Sequence, residues 1–121
     1  MKILIVEDSR VMRQILVRAL RQAGFSGHEL VLAEDGLEGL RAVRDHAPEL
    51  VLSGWNMPEM NGLELLTSLR ASGNPVRFGF VTAEGSCPAI VEKAEAAGAL
   101  FVVPKPFSAE DLGDALGPVL G

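Results

Sequence analysis

A single cysteine, Cys87, stands among 121 residues, so no internal disulfide is available to the chain. Histidine is nearly as scarce, and His28 and His46 lack the clustered partners a zinc site requires. Basic residues are in the minority, eleven Lys+Arg against sixteen Asp+Glu. The resulting formal charge of −5 argues against nonspecific nucleic-acid binding. No apolar run approaches the roughly 18–20 residues of a membrane span, and no basic-then-apolar leader opens the sequence. Tyrosine is absent. Against these absences, 48% hydrophobic and 22% charged residues are ordinary values for a folded protein and exclude the composition of disorder. The length suits one domain, over residues 1–121, with one core. The expectation is a small, acidic, soluble, cytoplasmic domain.

Short apolar runs alternate with helical patterns. Ile3-Leu4-Ile5-Val6, Glu29-Leu30-Val31-Leu32, Leu50-Val51-Leu52, Phe78-Gly79-Phe80-Val81 and Leu100-Phe101-Val102-Val103 read as buried strands. After the first, Met12, Ile15, Leu16, Ala19, Leu20 and Ala23 form an inward stripe, with Arg10, Arg13, Arg18 and Arg21 opposite, Ser9 as cap and Gly24 as stop. A second helix is predicted from about Gly36 to His46, with Leu37, Leu40 and Val43 inward and Pro48 beyond it. A third starts near Asn61-Gly62, carries Leu63, Leu66 and Leu69 inward, and stops at Gly73-Asn74-Pro75. The fourth follows Ser86 as N-cap, with Ile90, Val91, Ala94 and Ala97 inward and Gly98 as its end. The fifth begins after Ser108 and is weakened by Gly113 and Gly117, at roughly 1 kcal/mol per interior glycine. Such alternation predicts an α/β domain, a doubly wound parallel sheet with helices on both faces.

In sheets of this kind chemistry gathers at the carboxyl ends of the strands. There the sequence places Glu7-Asp8, Ser53-Gly54-Trp55-Asn56-Met57-Pro58, Thr82-Ala83 and Pro104-Lys105-Pro106-Phe107. Two adjacent carboxylates repel unless a hard divalent cation or a lysine compensates them. An acidic pair, a hydroxyl and an ammonium together read as apparatus for holding a phosphoryl group beside a metal.

Those segments resemble a bacterial response-regulator receiver domain of the chemotaxis type. The resemblance rests on Ile-Leu-Ile-Val-Glu-Asp at 3–8, Trp55-Asn56-Met57-Pro58 with Asn61-Gly62-Leu63-Glu64-Leu65-Leu66, Val-Thr-Ala-Glu at 81–84, Gly98-Ala99 and Lys105-Pro106-Phe107. It spans essentially the whole chain. The family implies a flavodoxin-like sheet of order 2-1-3-4-5. It also implies Glu7, Asp8 and the Asn56 carbonyl around Mg²⁺, Thr82 (followed by Ala83) as switch hydroxyl, Lys105 as phosphate partner, and a cis Lys105-Pro106 bond.

Two departures matter. The position that carries the phosphoacceptor aspartate in receivers is Gly54, which has no carboxylate nucleophile to offer. Strand alternation turns the neighbouring Ser53 away from the pocket, which opposes a serine acceptor, and Glu7 and Asp8 are better suited to a metal or to Lys105. With one acid fewer than an intact site, Mg²⁺ is expected to be held only weakly. The second departure is at Val102, where receivers commonly carry the aromatic that gates a partner surface. Phe101, one residue earlier, faces the opposite side of the strand.

Taken singly these residues have plainer readings. An acidic pair suits a helix N-terminus, Thr82 a strand end, and Lys105, His28, His46 and Cys87 the surface. Trp55 reads as a partly exposed rim residue, and the arginines of the first helix as a solvated face. The expectation is therefore a non-enzymatic receiver-like module without a working phosphoacceptor. It would meet a sensor histidine kinase, another signalling protein or a second copy of itself through the fourth helix, the fifth strand with Phe101 and Val102, and the fifth helix. One rival is a conventional phosphorylatable receiver whose parent carries Asp at position 54. The other is a flavin or nucleotide enzyme of the same architecture, which Glu7-Asp8-Ser9-Arg10 disfavours where a phosphate loop would stand.

Overall fold

Five parallel strands and five intervening helices make up most of residues 2–120, the part of the chain that the structure, a computed structural model, describes. The strands are β1 (Lys2–Val6), β2 (Glu29–Ala33), β3 (Leu50–Ser53), β4 (Arg77–Thr82) and β5 (Phe101–Pro104). The helices are α1 (Arg10–Leu20), α2 (Gly36–His46), α3 (Gly62–Ala71), α4 (Pro88–Ala96) and α5 (Ala109–Leu120). A wider turn, Arg21–Phe25, extends α1 and is kinked at Gly24, whose φ of +101° would strain a side chain. The sheet order is β2-β1-β3-β4-β5, the doubly wound arrangement the sequence pattern and the family resemblance imply.

Both faces of the central strands are covered, which is why these strands are continuously apolar rather than alternating. Leu4, Val6, Val51, Phe78 and Phe80 pack on one face with Val43 of α2, Leu65, Leu66 and Leu69 of α3 and Ala94 of α4. Ile3, Ile5, Leu50, Leu52, Val81 and Val103 pack on the other with Leu16 and Leu20 of α1 and Leu112 and Leu116 of α5. The register pairs Val6 with both Ala33 and Ser53, Ser53 with Phe80, and Thr82 with Pro104. The strands therefore finish along one line, and the residues just beyond them are brought together.

Several expectations need correction. Ile15 is 45% exposed, whereas Arg13, assigned to the solvent side, is buried. The Arg13 guanidinium reaches from α1 to the Glu7 and Asp8 carbonyls just past the end of β1. Leu37 lies at the surface, whereas Leu40 packs against the core as expected, and the fully buried α2 positions are Gly36, Gly39 and Val43. Gly39 sits against Val6, so the helix approaches β1 too closely for a larger side chain there. The N-cap of α4 is Cys87 rather than Ser86, and it makes no side-chain capping bond. Of the four α4 residues expected to face inward, only Ala94 is fully buried. Leu100 precedes β5 and is exposed, as is Leu32 on the edge strand β2.

Despite Gly113, Gly117 and Pro118, α5 runs for 12 residues. Ser108 Oγ accepts from Asp111 N–H at 3.0 Å, and the Asp111 carboxylate accepts from Ser108 N–H at 2.9 Å. That reciprocal cap is worth about 1 kcal/mol, and fully burying Leu112 and Leu116 adds about 2 kcal/mol each, more than the two glycines cost. No helix among the described residues is long and apolar enough to cross a membrane.

Candidate functional site

β1 ends in a buried acid and an exposed one. Glu7 is 4% exposed, and Asp8 beside it opens to solvent. Arg13 holds this corner from beneath, donating from Nη1 to the Glu7 carbonyl at 2.6 Å and to the Asp8 carbonyl at 3.3 Å. Ser9 caps α1 by accepting from Met12 N–H at 3.2 Å, and its own N–H donates to Glu7 Oε1 at 3.4 Å. The turn from β1 into α1 thus directs the Glu7 carboxylate across the strand ends.

Gly54 follows β3 and is anchored by its N–H to the Val6 carbonyl at 2.9 Å. The Ser53 hydroxyl is buried and donates to the Gly54 carbonyl at 2.8 Å, away from the acids, as strand alternation requires. Asn61 and Glu64 form a reciprocal cap at the start of α3. Gly62 brings that helix so close that a Cβ there would collide with the Gly54 carbonyl. A Cβ on Gly54 itself would lie 2.8 Å from Glu7 Oε2. The same oxygen is 3.3 Å from Lys105 Nζ, in an ion pair whose side chains are 5% and 22% exposed. The Glu7 carboxylate therefore crowds the space where a side chain at position 54 would begin, and it pairs with the lysine. Burial raises the Glu7 pKa above the ordinary carboxylate value, and a hydrogen bond with Asp8 adds to the rise against the pull of Lys105.

Thr82 ends β4, and its carbonyl accepts from Lys105 N–H at 3.0 Å, which fixes the β5 end beside it. The Thr82 hydroxyl donates to Glu84 at 2.5 Å. Asn56 Nδ2 donates to the other Glu84 oxygen at 3.0 Å. Those bonds, the Thr82 one foremost, hold the Glu84 carboxyl below the ordinary range. Sequence reasoning quoted Glu84 within a motif but assigned it no role. The signal available was its place two residues after a strand-end threonine, a spacing at which hydroxyls bond locally.

Glu7, Asp8, Gly54, Asn56, Thr82, Ala83 and Lys105, together with Trp55 and Glu84, line one cavity of about 190 Å³. Larger hollows of about 530–540 Å³ lie at the opposite end of the sheet, around Val43, Arg44, Asn74 and Pro75, and hold no convergent acids. Trp55 is half-buried and meets Phe80 edge-on at 4.9 Å, which ties the β3–α3 loop to the core. Phe101 and Val102 separate as alternation demands. The Phe101 ring covers Gly79, its neighbour in register, on the α1/α5 side, while Val102 packs with the core on the α3/α4 side. His46 and Cys87 are exposed, but His28 is half-buried and tilted against Phe25 at 5.7 Å. The Lys105-Pro106 bond is cis.

A hard divalent cation needs several oxygen donors free of other partners. Among the described residues no group of three or more His, Cys, Asp or Glu is placed to hold one, and Glu7 is already paired with Lys105. Asp8 and the rim at Asn56 are what remain, so the chain offers a Mg²⁺ ion few oxygen donors that are free of other partners.

Residues 3–117 match the sequence model of the response regulator receiver domain. The chain is 36% identical over 122 residues to the probable chemotaxis protein CheY of Rhizobium etli, covering 99% of this chain and 92% of that protein. It is also 36% identical over 111 residues to the response regulator MprA of a Mycobacterium species, covering 92% of this chain but 46% of MprA, so it spans less than half of that regulator. Among solved structures, the chemotaxis response regulator CheY4 of Vibrio cholerae superposes with a TM-score of 0.85 at 31% identity, covering 98% and 97% of the two chains. A LuxR-family DNA-binding response regulator from Staphylococcus aureus reaches 0.87 at 26% identity, covering 99% and 98%. The match in sequence along nearly the full length and the shared order of strands lead to one conclusion: the chain belongs to the response regulator receiver domain family.

Proposed function

We propose that this chain is a two-component receiver that works without an acyl phosphate at position 54, as a protein-interaction module rather than an enzyme. The observation that carries this reading is the junction of Gly54, Glu7 and Lys105. Position 54 has no carboxylate, and the lysine that would pair with a phosphoryl oxygen is held 3.3 Å from Glu7. An acyl phosphate needs a carboxylate nucleophile with room for an incoming phosphorus atom. Glu7 is enclosed and committed to Lys105, while Ser53 donates to a main-chain carbonyl on the other side of the strand. The crowded donor set supports weak Mg²⁺ binding at most.

The partner in this reading is a sensor histidine kinase or another cytoplasmic signalling protein, met at the surface of α4, β5 and α5, or a second copy of the chain on that same surface. Val102 and Asp114 lie there beside a shallow hollow of about 390 Å³. The net charge of −5 gives nucleic acid no electrostatic purchase on the chain. The test is intact-mass measurement after incubation with Mg²⁺ and a small phosphodonor. The unaltered chain is expected to gain no phosphoryl mass and Gly54→Asp to gain one. A phosphoryl adduct on the unaltered chain refutes the proposal.

A further inference from the structure

Between β4 and α4 the chain makes two successive turns, closed by Gly85 N–H to the Thr82 carbonyl at 3.1 Å and Cys87 N–H to the Glu84 carbonyl at 2.9 Å. The Glu84 side chain folds back over them. Its carboxylate accepts from the Thr82 hydroxyl and from the Asn56 amide, which joins the end of β4 to the β3–α3 loop. Its main-chain carbonyl meanwhile holds Cys87, the residue immediately before α4. One residue thus connects the cavity, the neighbouring loop and the first turn of a helix.

α4 has little else to seat it. Among its nine residues only Ala94 is fully buried, and no side chain caps its N-terminus. A helix with so little buried apolar surface belongs to the low-stability part of a domain, where single contacts decide local opening. Thr82, by contrast, is 3% exposed, so its hydroxyl must have a partner within the protein. That partner is Glu84.

We propose that Glu84 is a built-in latch. By accepting from Thr82 and Asn56 it fixes the start of α4 against the strand ends, so a carboxylate of the chain itself, and nothing entering the cavity, sets the arrangement of the α4 surface. The latch rests on the phosphoryl-free reading above only in leaving Thr82 without a competing acceptor.

Amide hydrogen exchange of the purified chain, with α2 as internal reference, tests it. Glu84→Ala is expected to raise exchange several-fold in the β4–α4 loop and first turn of α4 while α2 is unmoved. Glu84→Gln, which keeps an acceptor oxygen, is expected to restore most of the protection. Thr82→Val removes the same contact from the other side, so combining it with Glu84→Ala should add little. Unchanged exchange in Glu84→Ala overturns the latch, and so do fully additive effects of the two substitutions. The mass measurement judges the phosphoryl-free reading and the exchange measurement judges the latch, so the two can fail separately.

Discussion

Placing a carboxylate at position 54 is the most informative perturbation of this protein. Gly54 is not in the left-handed region and its prospective Cβ meets only the end of the Glu7 side chain, so Gly54→Asp is expected to fold with Glu7 displaced. Two carboxylates about 4 Å apart repel by about 4 kcal/mol at an effective dielectric near 20. Lys105, now shared between them, offsets part of this, and replacing a strand-end glycine returns about 0.5–1 kcal/mol. The expected net effect without divalent cations is a loss of about 1–3 kcal/mol, read as a lowered urea midpoint at neutral pH. The same third acid should create the oxygen cluster that the chain now lacks. Mg²⁺ at about 100 times its dissociation constant then returns about 2.7 kcal/mol to Gly54→Asp, and far less to the unaltered chain at the same concentration. Equal stabilisation of both proteins by Mg²⁺, or an unchanged midpoint in Gly54→Asp without it, would refute the account of Glu7 as the occupant of this space.

The remaining predictions concern the supports of that cavity. Lys105→Ala leaves Glu7 enclosed without a counter-charge and should cost about 1–2 kcal/mol at pH 7, less than for a fully buried pair because Lys105 is partly exposed. Because burial raises the folded-state pKa of Glu7, its contribution is complete below the unfolded value of 4.5 and is lost as pH rises through the higher folded value. Denaturation of Glu7→Gln against the unaltered chain should accordingly show the variant gaining relative stability as pH climbs above about 4.5, and a gain on acidification would contradict the sign. Arg13→Met removes the donor to the Glu7 and Asp8 carbonyls and should cost about 1.5–3 kcal/mol in thermal unfolding, with Arg13→Lys recovering little of it. Gly62→Ala drives a methyl group into the Gly54 carbonyl and should cost about 2–3 kcal/mol, whereas a midpoint within error of the unaltered chain would mean α3 can retreat.

Much of the architecture is legible in the order of residues because its causes are local. Apolar runs of three or four residues, caps such as Ser9 and Asn61, and stops such as Gly24 and Gly98 each act within a few positions, and α2 has the bounds that its sequence predicts. The family pattern and the absence of a carboxylate at Gly54 are likewise read from residue identity alone, since glycine has no side chain in any conformation. Periodicity fails where a long side chain meets a main-chain acceptor from another element. Arg13 lies inward because the carbonyls ending β1 require a donor, and Ile15 turns outward on the same helix.

What only the folded chain decides is how the charges pair. The sequence offers Lys105 two acids, Glu7 and Asp8, and leaves Glu84 without a role. Burial and the path of the β1–α1 turn select Glu7 for Lys105, while the β4–α4 turns bring Glu84 onto Thr82 and Asn56. Distances of 3 Å between residues 28 or 98 positions apart depend on strand register and loop direction, which no local pattern encodes.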